Sequence, residues 1–142
     1  VTFMLKLNQI SLTESSLEGK MKKSQAGNGR YQVEITVFQT DDGLIVHLLG
    51  GEKPHVGAVV ISTPHKSLKG DNSISCTTSS LPLLGHKDDI PARPLAEALA
   101  KLTEQPVVVV SGIHIDNATA REIEKLQQNA RTAIKDILEQ FK

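Results

Sequence analysis

The chain has 142 residues, and its sixteen basic and sixteen acidic side chains give a formal net charge of zero. A chain of this length fits one domain, which buries roughly 70% of the surface that the unfolded chain exposes. The balanced charge and an aromatic content of only 3% disfavour both electrostatic capture and base stacking of nucleic acid, so no nucleic-acid partner is expected.

The cysteine content and the distribution of apolar residues indicate where the protein resides. Cys76, the single cysteine, excludes an intrachain disulfide and lies in a strand-like run, where a buried free thiol is expected. The sequence opens without a secretory signal pattern, and it contains no uncharged apolar run of the roughly 18 residues that a membrane span requires. These features predict a cytoplasmic protein without a membrane span.

Residues 1–29 are predicted to form an N-terminal arm and a flexible linker. A strand-like run occupies Val1–Leu12, and the sequence then turns polar from Thr13 to Arg30, where lysines are grouped among serines and glycines. A basic cluster of this kind is typical of a solvated loop. The compact domain is therefore predicted to span residues 30–142.

The first half of this domain has the pattern of β-strands. Apolar and polar residues alternate from Tyr31 to Phe38, the turn residues Asp41–Gly43 follow, and Leu44–Leu49 returns as the second strand of a hairpin. Shorter strand-like runs follow at Ala58–Ser62 and Ser73–Thr78. Short strands joined by short turns favour antiparallel pairing.

Helical patterns appear only in the second half. One helix is predicted to begin at Pro94, because Pro91 and Pro94 disfavour an earlier start. The β-branched run Pro106–Val110 is typical of a central strand. Thr119 and Glu122 match a capping box, and the apolar spacing after them predicts a long amphipathic helix that continues to the carboxyl terminus.

Together these elements predict an α+β fold, a single domain with a mostly antiparallel sheet and two helices packed on one face. The other face of the sheet is not expected to be polar, because Ile45, Leu49, Val59 and Ile61 alternate along the predicted strands. A small domain does not leave a large apolar face in water without inviting association. We therefore expect a homodimer.

Three stretches combine glycine, histidine and polar residues where predicted elements end. Glycine at such places supplies a positive φ or lets another group approach the backbone. If the fold brings the three stretches together, they form one site. Its predicted residues are Gly50, Gly51, Lys53, Pro54, His55, Gly57, Gly85, His86, Lys87, Asp88, Asp89, Gly112, His114, Asp116 and Asn117.

Three interpretations of these stretches stay open from the residues alone. His55, His86 and His114 are candidate ligands of zinc, iron or manganese, although none lies in a compact ligand motif. The stretches also resemble an anion site, because two of them precede helix starts, where free N–H groups and the charges of Lys53, Lys87 and Arg93 would favour a phosphate. Alternatively, each histidine braces its own loop.

Enzymatic turnover has no support from sequence motifs. No nucleophile motif, P-loop or dinucleotide-binding glycine pattern is present. A small metal-dependent enzyme that uses the three histidines therefore stays as the alternative to a protein that only binds.

Three runs of this sequence resemble motifs that occur in the same order in a family of small bacterial and archaeal proteins, which includes an accessory subunit of gallate decarboxylase. The runs are Gly50–Gly57, Gly85–Asp89 and Gly112–Thr119. The resemblance covers about Tyr31 to Phe141. That family is described as prenylated-flavin chaperone-like, with a fold similar to the dimeric proteasome-assembly chaperones. The resemblance implies a non-catalytic accessory protein of a prenylated-flavin-dependent decarboxylase, which binds prenylated FMN or the enzyme that carries it.

Overall fold

The structure, a computed structural model, describes residues 19–85 and 87–142. These residues form one small α+β domain, and a short 3-10 turn at Gly29–Tyr31 precedes its second strand. In chain order the main elements are β1 (Met21–Ala26), β2 (Val33–Gln39), β3 (Leu44–Gly51), β4 (Ala58–Lys66), β5 (Ile74–Pro82), α1 (Asp89–Thr103), β6 (Val107–His114) and α2 (Ala120–Glu139).

The six strands form one open sheet in the order β1-β2-β3-β6-β4-β5. Only β3 and β6 pair in parallel, and every other neighbouring pair is antiparallel. The predicted mostly antiparallel sheet is therefore confirmed. The valine-rich strand β6 lies in the middle of the sheet, as its lack of polar alternation indicated.

Both helices cover the same face of the sheet, which confirms the predicted α+β arrangement. Helix α1 packs on β4, β5 and β6, while α2 packs on β1 and β2 and touches α1. The strands contribute alternate residues such as Ile35, Leu48 and Val109 to this core, and α1 contributes Leu95 and Leu99. This core holds the start of each helix beside the carboxyl ends of β3 and β6.

The opposite face of the sheet, the open face, carries apolar side chains in register. Phe38 pairs with Ile45, Ile45 with Val108, and Val108 with Ile61. Ile45 and Ile61 are 46% and 45% exposed. An apolar row therefore crosses the central strands on this face, where the exposed His47 of β3 also lies.

Strand β1 corrects part of the predicted linker. Met21–Ala26 pairs antiparallel with β2 and forms an edge of the sheet. Its polar sequence has no clear alternation because an edge strand is half solvated and often carries lysine. The hydroxyl of Ser24 donates to the carbonyl of Ala133 and thereby ties β1 to α2. The predicted strand-like run at Val1–Leu12 lies outside the described residues.

Helix α1 begins at Asp89, five residues before the predicted start at Pro94. Pro91 lies in the first turn, where backbone N–H groups have no partner within the helix, so its missing N–H is tolerated. Pro94 lies inside the helix and removes one backbone hydrogen bond. Packing of the Ala92, Leu95 and Leu99 face against the sheet outweighs this loss.

Candidate functional site

The connection between β3 and β4, residues 52–57, passes over the carboxyl end of β6. This path follows from the sheet order, because β6 lies between the two strands that the connection joins. A Cβ atom on Gly112 would overlap the backbone carbonyl of His55, and one on Gly51, whose φ is 78°, would overlap the carbonyl of His114. Glycine is therefore required by close backbone contact at this crossing.

Asp88, just before α1, connects this crossing to the helix. Its side chain is only 9% exposed. Its Oδ1 accepts a hydrogen bond of 2.9 Å from the backbone N–H of Ile113, and its Oδ2 lies 3.2 Å from Nε2 of His55. A Cβ on Gly57 would overlap this carboxylate. One buried carboxylate thus binds all three glycine-containing stretches together.

The two described histidines of the prediction meet at this place. The rings of His55 and His114 lie perpendicular, with their centroids 5.9 Å apart. Nδ1 of His55 lies 2.9 Å from the carbonyl oxygen of Lys53, so both ring nitrogens of His55 face oxygen atoms. These contacts fix the orientation of the ring.

These side chains and Lys53 form one group, which we call the Asp88 cluster: Lys53, His55, Asp88, His114 and Asp116. Asp116 forms its solvent-facing side. Its Oδ1 lies 2.9 Å from Nε2 of His114, and its Oδ2 accepts a hydrogen bond from the ammonium group of Lys53. The Lys53 and His114 contacts lower the pKa of Asp116, and the same Asp116 bond raises the pKa of Lys53. Lys53 is therefore engaged within the cluster.

A groove of about 770 Å³ opens beside this cluster, between α1 and α2. Its walls are mostly apolar, and its polar side chains come from α2, from the end of β6 and from the residues just before α1. The apolar lining consists of Ile90, Pro91, Pro94, Ile113, Ile115, Ala118, Ile123, Leu126, Ala130 and Ile134. The polar lining consists of Lys87, Asp88, His114, Gln127 and Arg131.

The two helix starts at this groove differ in how their backbone groups are satisfied. At α2 the capping box is confirmed: the hydroxyl of Thr119 accepts from the backbone N–H of Glu122, and the Glu122 carboxylate accepts from the N–H of Thr119. At α1 no described side chain caps the first turn, because Asp88 bonds to β6 instead. The start of α1 therefore differs from that of α2 in that its N-cap residue, Asp88, does not bond to the first turn, which also contains the carboxylate of Asp89.

The structure places the three predicted phosphate-binding cations in different surroundings. Lys53 is bound to Asp116, and Nε of Arg93 lies 3.1 Å from Oε1 of Glu97 one turn along α1. Lys87 lines the groove beside the start of α1. Of the three cations that the sequence suggested, Lys87 has the position that suits an anionic ligand of the groove.

The remaining predicted residues serve the backbone or lie at the edge of the site. Gly85 has a φ of 79° and lines the groove, whereas Gly50 packs against β2. Asp89 is the first residue of α1, and Asn117 has a φ of 51° in the turn before α2. Pro54 is exposed in the crossing connection.

The metal interpretation depends on a residue that the structure does not describe. Within residues 19–85 and 87–142, no three histidine, cysteine, aspartate or glutamate side chains could jointly hold a metal ion. His86, the third histidine of that hypothesis, lies outside the described residues. The geometry of the other two histidines is explained by their contacts with Asp88 and Asp116.

Sequence reasoning missed the contribution of α2 to the groove. Residues of α2 line the groove, but they belong to none of the glycine and histidine stretches. They include Ile123, Gln127, Arg131 and Ile134. One signal was present: the apolar stripe of α2 is wider than its buried residues require, since Ile123 remains exposed. A stripe that extends beyond the core indicates a surface for another molecule.

Comparisons with known proteins agree with this architecture. Neither helix of the described chain is long and apolar enough to cross a membrane. A search of curated proteins finds no match. Among solved structures, a chain from a chaperone complex for yeast 20S proteasome assembly is similar in fold, with a TM-score of 0.52 and 13% identity. The similarity covers 86% of this chain and 98% of that chain.

The family comparison covers nearly the whole described domain. A model of the prenylated flavin chaperone LpdD-like domain matches residues 27–142, which include the crossing connection, the Asp88 cluster and both walls of the groove. The match agrees with the resemblance seen in the three glycine and histidine stretches. This chain therefore belongs to the family of prenylated flavin chaperone LpdD-like domains.

Proposed function

We propose that this protein binds a phosphorylated flavin, prenylated FMN, in the groove between α1 and α2. It then supplies the cofactor to a prenylated-flavin-dependent decarboxylase in the cytoplasm and catalyses no reaction itself. The observation that carries this proposal is the apolar groove beside the Asp88 cluster, in a chain of the prenylated flavin chaperone family.

The groove fits a flavin in size and in chemistry. Pockets for small ligands usually measure about 300–1,000 Å³ and combine apolar walls with a few polar groups that fix orientation. The groove, at about 770 Å³, falls inside this range. Isoleucines from β6 and α2 suit the flat ring system, and His114 and Gln127 supply hydrogen-bonding groups at the wall.

The phosphate is assigned to the start of α1. A helix start carries about half a positive charge, and α1 has no described side-chain cap. Lys87 adds a full charge beside it, and Arg131 adds another from the opposite wall. The start of α2 is less suitable because its capping box already engages the N–H groups of Thr119 and Glu122.

A flavin titration tests this assignment. Reduced prenylated flavin, kept anaerobic, and plain FMN are titrated against wild type and against Lys87→Ala and His114→Ala. Loss of one charge-assisted phosphate contact in Lys87→Ala should weaken binding by roughly 1.5–3 kcal/mol, about ten-fold to a hundred-fold. Lys69→Ala, which changes an exposed lysine in the β4–β5 hairpin, is the matched control and should bind as wild type does.

Two results would overturn the proposal. If wild type binds neither flavin, the groove is not a flavin site. If flavin binds but co-expression with a gallate-type decarboxylase leaves the activation of that enzyme unchanged, the protein does not supply the cofactor.

We also propose that two copies associate through the open face. The row Phe38, Ile45, Val108 and Ile61 is contiguous across four strands and partly exposed. Ile61→Asp should weaken the dimer, because an unpaired charge in an apolar interface costs several kcal/mol. Sedimentation equilibrium measures the effect, and Leu68→Asp in the β4–β5 hairpin is the control. A wild type that stays monomeric at all concentrations contradicts the dimer.

A further inference from the structure

Four large apolar side chains are exposed in or next to the groove among the described residues. Val56, Leu83 and Ile90 are 56%, 51% and 63% exposed, and Leu84 is fully exposed. Monomeric proteins expose single apolar residues freely, but a group of them next to one opening usually marks an interaction site.

These residues, which we call the apolar rim, lie on adjoining segments of backbone. The N–H of Leu83 donates to the carbonyl of Gly57, which directly follows Val56. Leu84 precedes Gly85, and Gly85 and Ile90 both line the groove. The rim therefore lies on segments that adjoin the groove, at the end of the sheet where β3, β5 and β6 finish.

We infer that the apolar rim is the surface on which the protein that accepts the flavin docks. This inference deepens the proposed function and rests on it. The acceptor is a cofactor-free enzyme whose own cofactor entrance is bordered by apolar side chains. A carrier must release its ligand through the mouth of its groove, and an apolar contact around that mouth excludes water during the transfer.

The size and position of the rim favour such an acceptor over a second copy of this chain. Four side chains cover less than a stable interface of about 800 Å² per partner, but they suit the smaller interfaces of transient encounters. A transient contact is what a transfer requires, because the empty carrier has to leave. The apolar row that we assign to the dimer lies on the open face, whereas the rim lies on the loops at the edge of the sheet.

The test separates docking from ligand binding. Leu83 and Leu84 do not line the groove, so the double variant Leu83→Ser/Leu84→Ser should keep the flavin affinity of wild type. Its binding to a cofactor-free gallate-type decarboxylase, measured by interferometry, should fall at least ten-fold, and transfer of prenylated FMN should slow to the same extent. Leu68→Ser provides the control, because Leu68 is fully exposed, as Leu84 is, but lies in the hairpin between β4 and β5.

Each other outcome has a distinct meaning. A double variant that binds the decarboxylase as tightly as wild type overturns the inference, and so does a wild type that does not bind it. A double variant that loses its dimeric mass in sedimentation assigns the rim to contact between copies and also overturns it. If wild type binds the enzyme through the rim but takes up no flavin, the proposed function fails while the docking surface stands.

Discussion

The two helices begin side by side at the end of the sheet where β3 and β6 finish, yet the carboxylates at their starts bond to different partners. Helix α2 satisfies its own start through the capping box of Thr119 and Glu122. Tyr31 adds a hydrogen bond of 3.0 Å to the same carboxylate. Helix α1 has Asp88 at the equivalent place, but that carboxylate bonds to Ile113 and His55 on other elements.

The carboxylate at the start of α2 therefore stabilises its own helix, whereas the carboxylate at the start of α1 bonds to other segments. Glu122 caps its own helix, whereas Asp88 makes no cap bond to α1 and instead holds the three glycine-containing stretches together. Regions that depart from the locally favoured arrangement are expected where function requires it. The start of α1 is therefore where we place the phosphate, and the start of α2 serves as an internal control.

The largest expected effect comes from removing the carboxylate at the start of α1. Asp88→Ala leaves the N–H of Ile113 without its charged acceptor and should lower the free energy of unfolding by about 1.5–3 kcal/mol, as measured in urea. Asp88→Asn keeps an acceptor of similar size and should lose less. The His55 ring signals should broaden or shift in NMR spectra of Asp88→Ala. An unchanged unfolding midpoint would show that Asp88 does not hold the three stretches together.

Removing the cap of α2 should have a smaller effect that is confined to stability. Thr119→Ala deletes the hydroxyl that accepts from Glu122 and should cost about 1 kcal/mol of unfolding free energy. Flavin affinity should stay at the wild-type value, because the start of α2 is not assigned to the phosphate. Weaker flavin binding in Thr119→Ala, at temperatures where the variant is folded, would contradict the distinction between the two helix starts.

The smallest expected effect concerns the titration of the capping carboxylate. The backbone N–H of Thr119 and then the hydroxyl of Tyr31 lower the pKa of Glu122. A carboxyl group with a lowered native pKa stabilises the fold above its unfolded pKa and loses that contribution as the pH falls through the native pKa. Tyr31→Phe keeps the aromatic ring and should raise the pKa of Glu122 towards its ordinary value.

Carbon NMR of the side-chain carboxyl groups measures this change. Asp116, whose pKa is lowered by Lys53 and His114, is the control within the same spectra and should titrate as in wild type. A Glu122 titration that is identical in Tyr31→Phe and wild type would show that the tyrosine hydroxyl does not contribute.

The sequence was sufficient to predict those elements whose stabilising contacts are between neighbouring residues. The capping box at Thr119 and the central position of Val107–Val110 follow from neighbouring residues alone. Strand β1 was missed because its stability comes from pairing with β2 and from the bond between Ser24 and Ala133, neither of which is local. The early start of α1 was missed because packing overrode the two prolines.

The candidate site shows the same limit. Glycine and histidine stretches identified the crossing connection and the residues around Asp88. The binding role of those residues stays a prediction. The groove wall on α2 was missed because Gln127 and Arg131 line the groove only when the two helices pack together.

Strand β6 comes last among the described strands in the chain but lies in the middle of the sheet, and this affects folding during synthesis. Strands β3 and β4 are consecutive in the chain, but they do not pair with each other, because residues 107–114 lie between them. Until the ribosome has released that segment, each strand presents one unpaired edge, and the N–H groups of Glu52 and Lys53 lack the carbonyl of His114 that accepts from them. Non-local pairing of this kind slows folding and prolongs exposure to aggregation. A nascent chain that stops before residue 107 therefore lacks both the continuous six-stranded sheet and the contacts of Asp88 with β6.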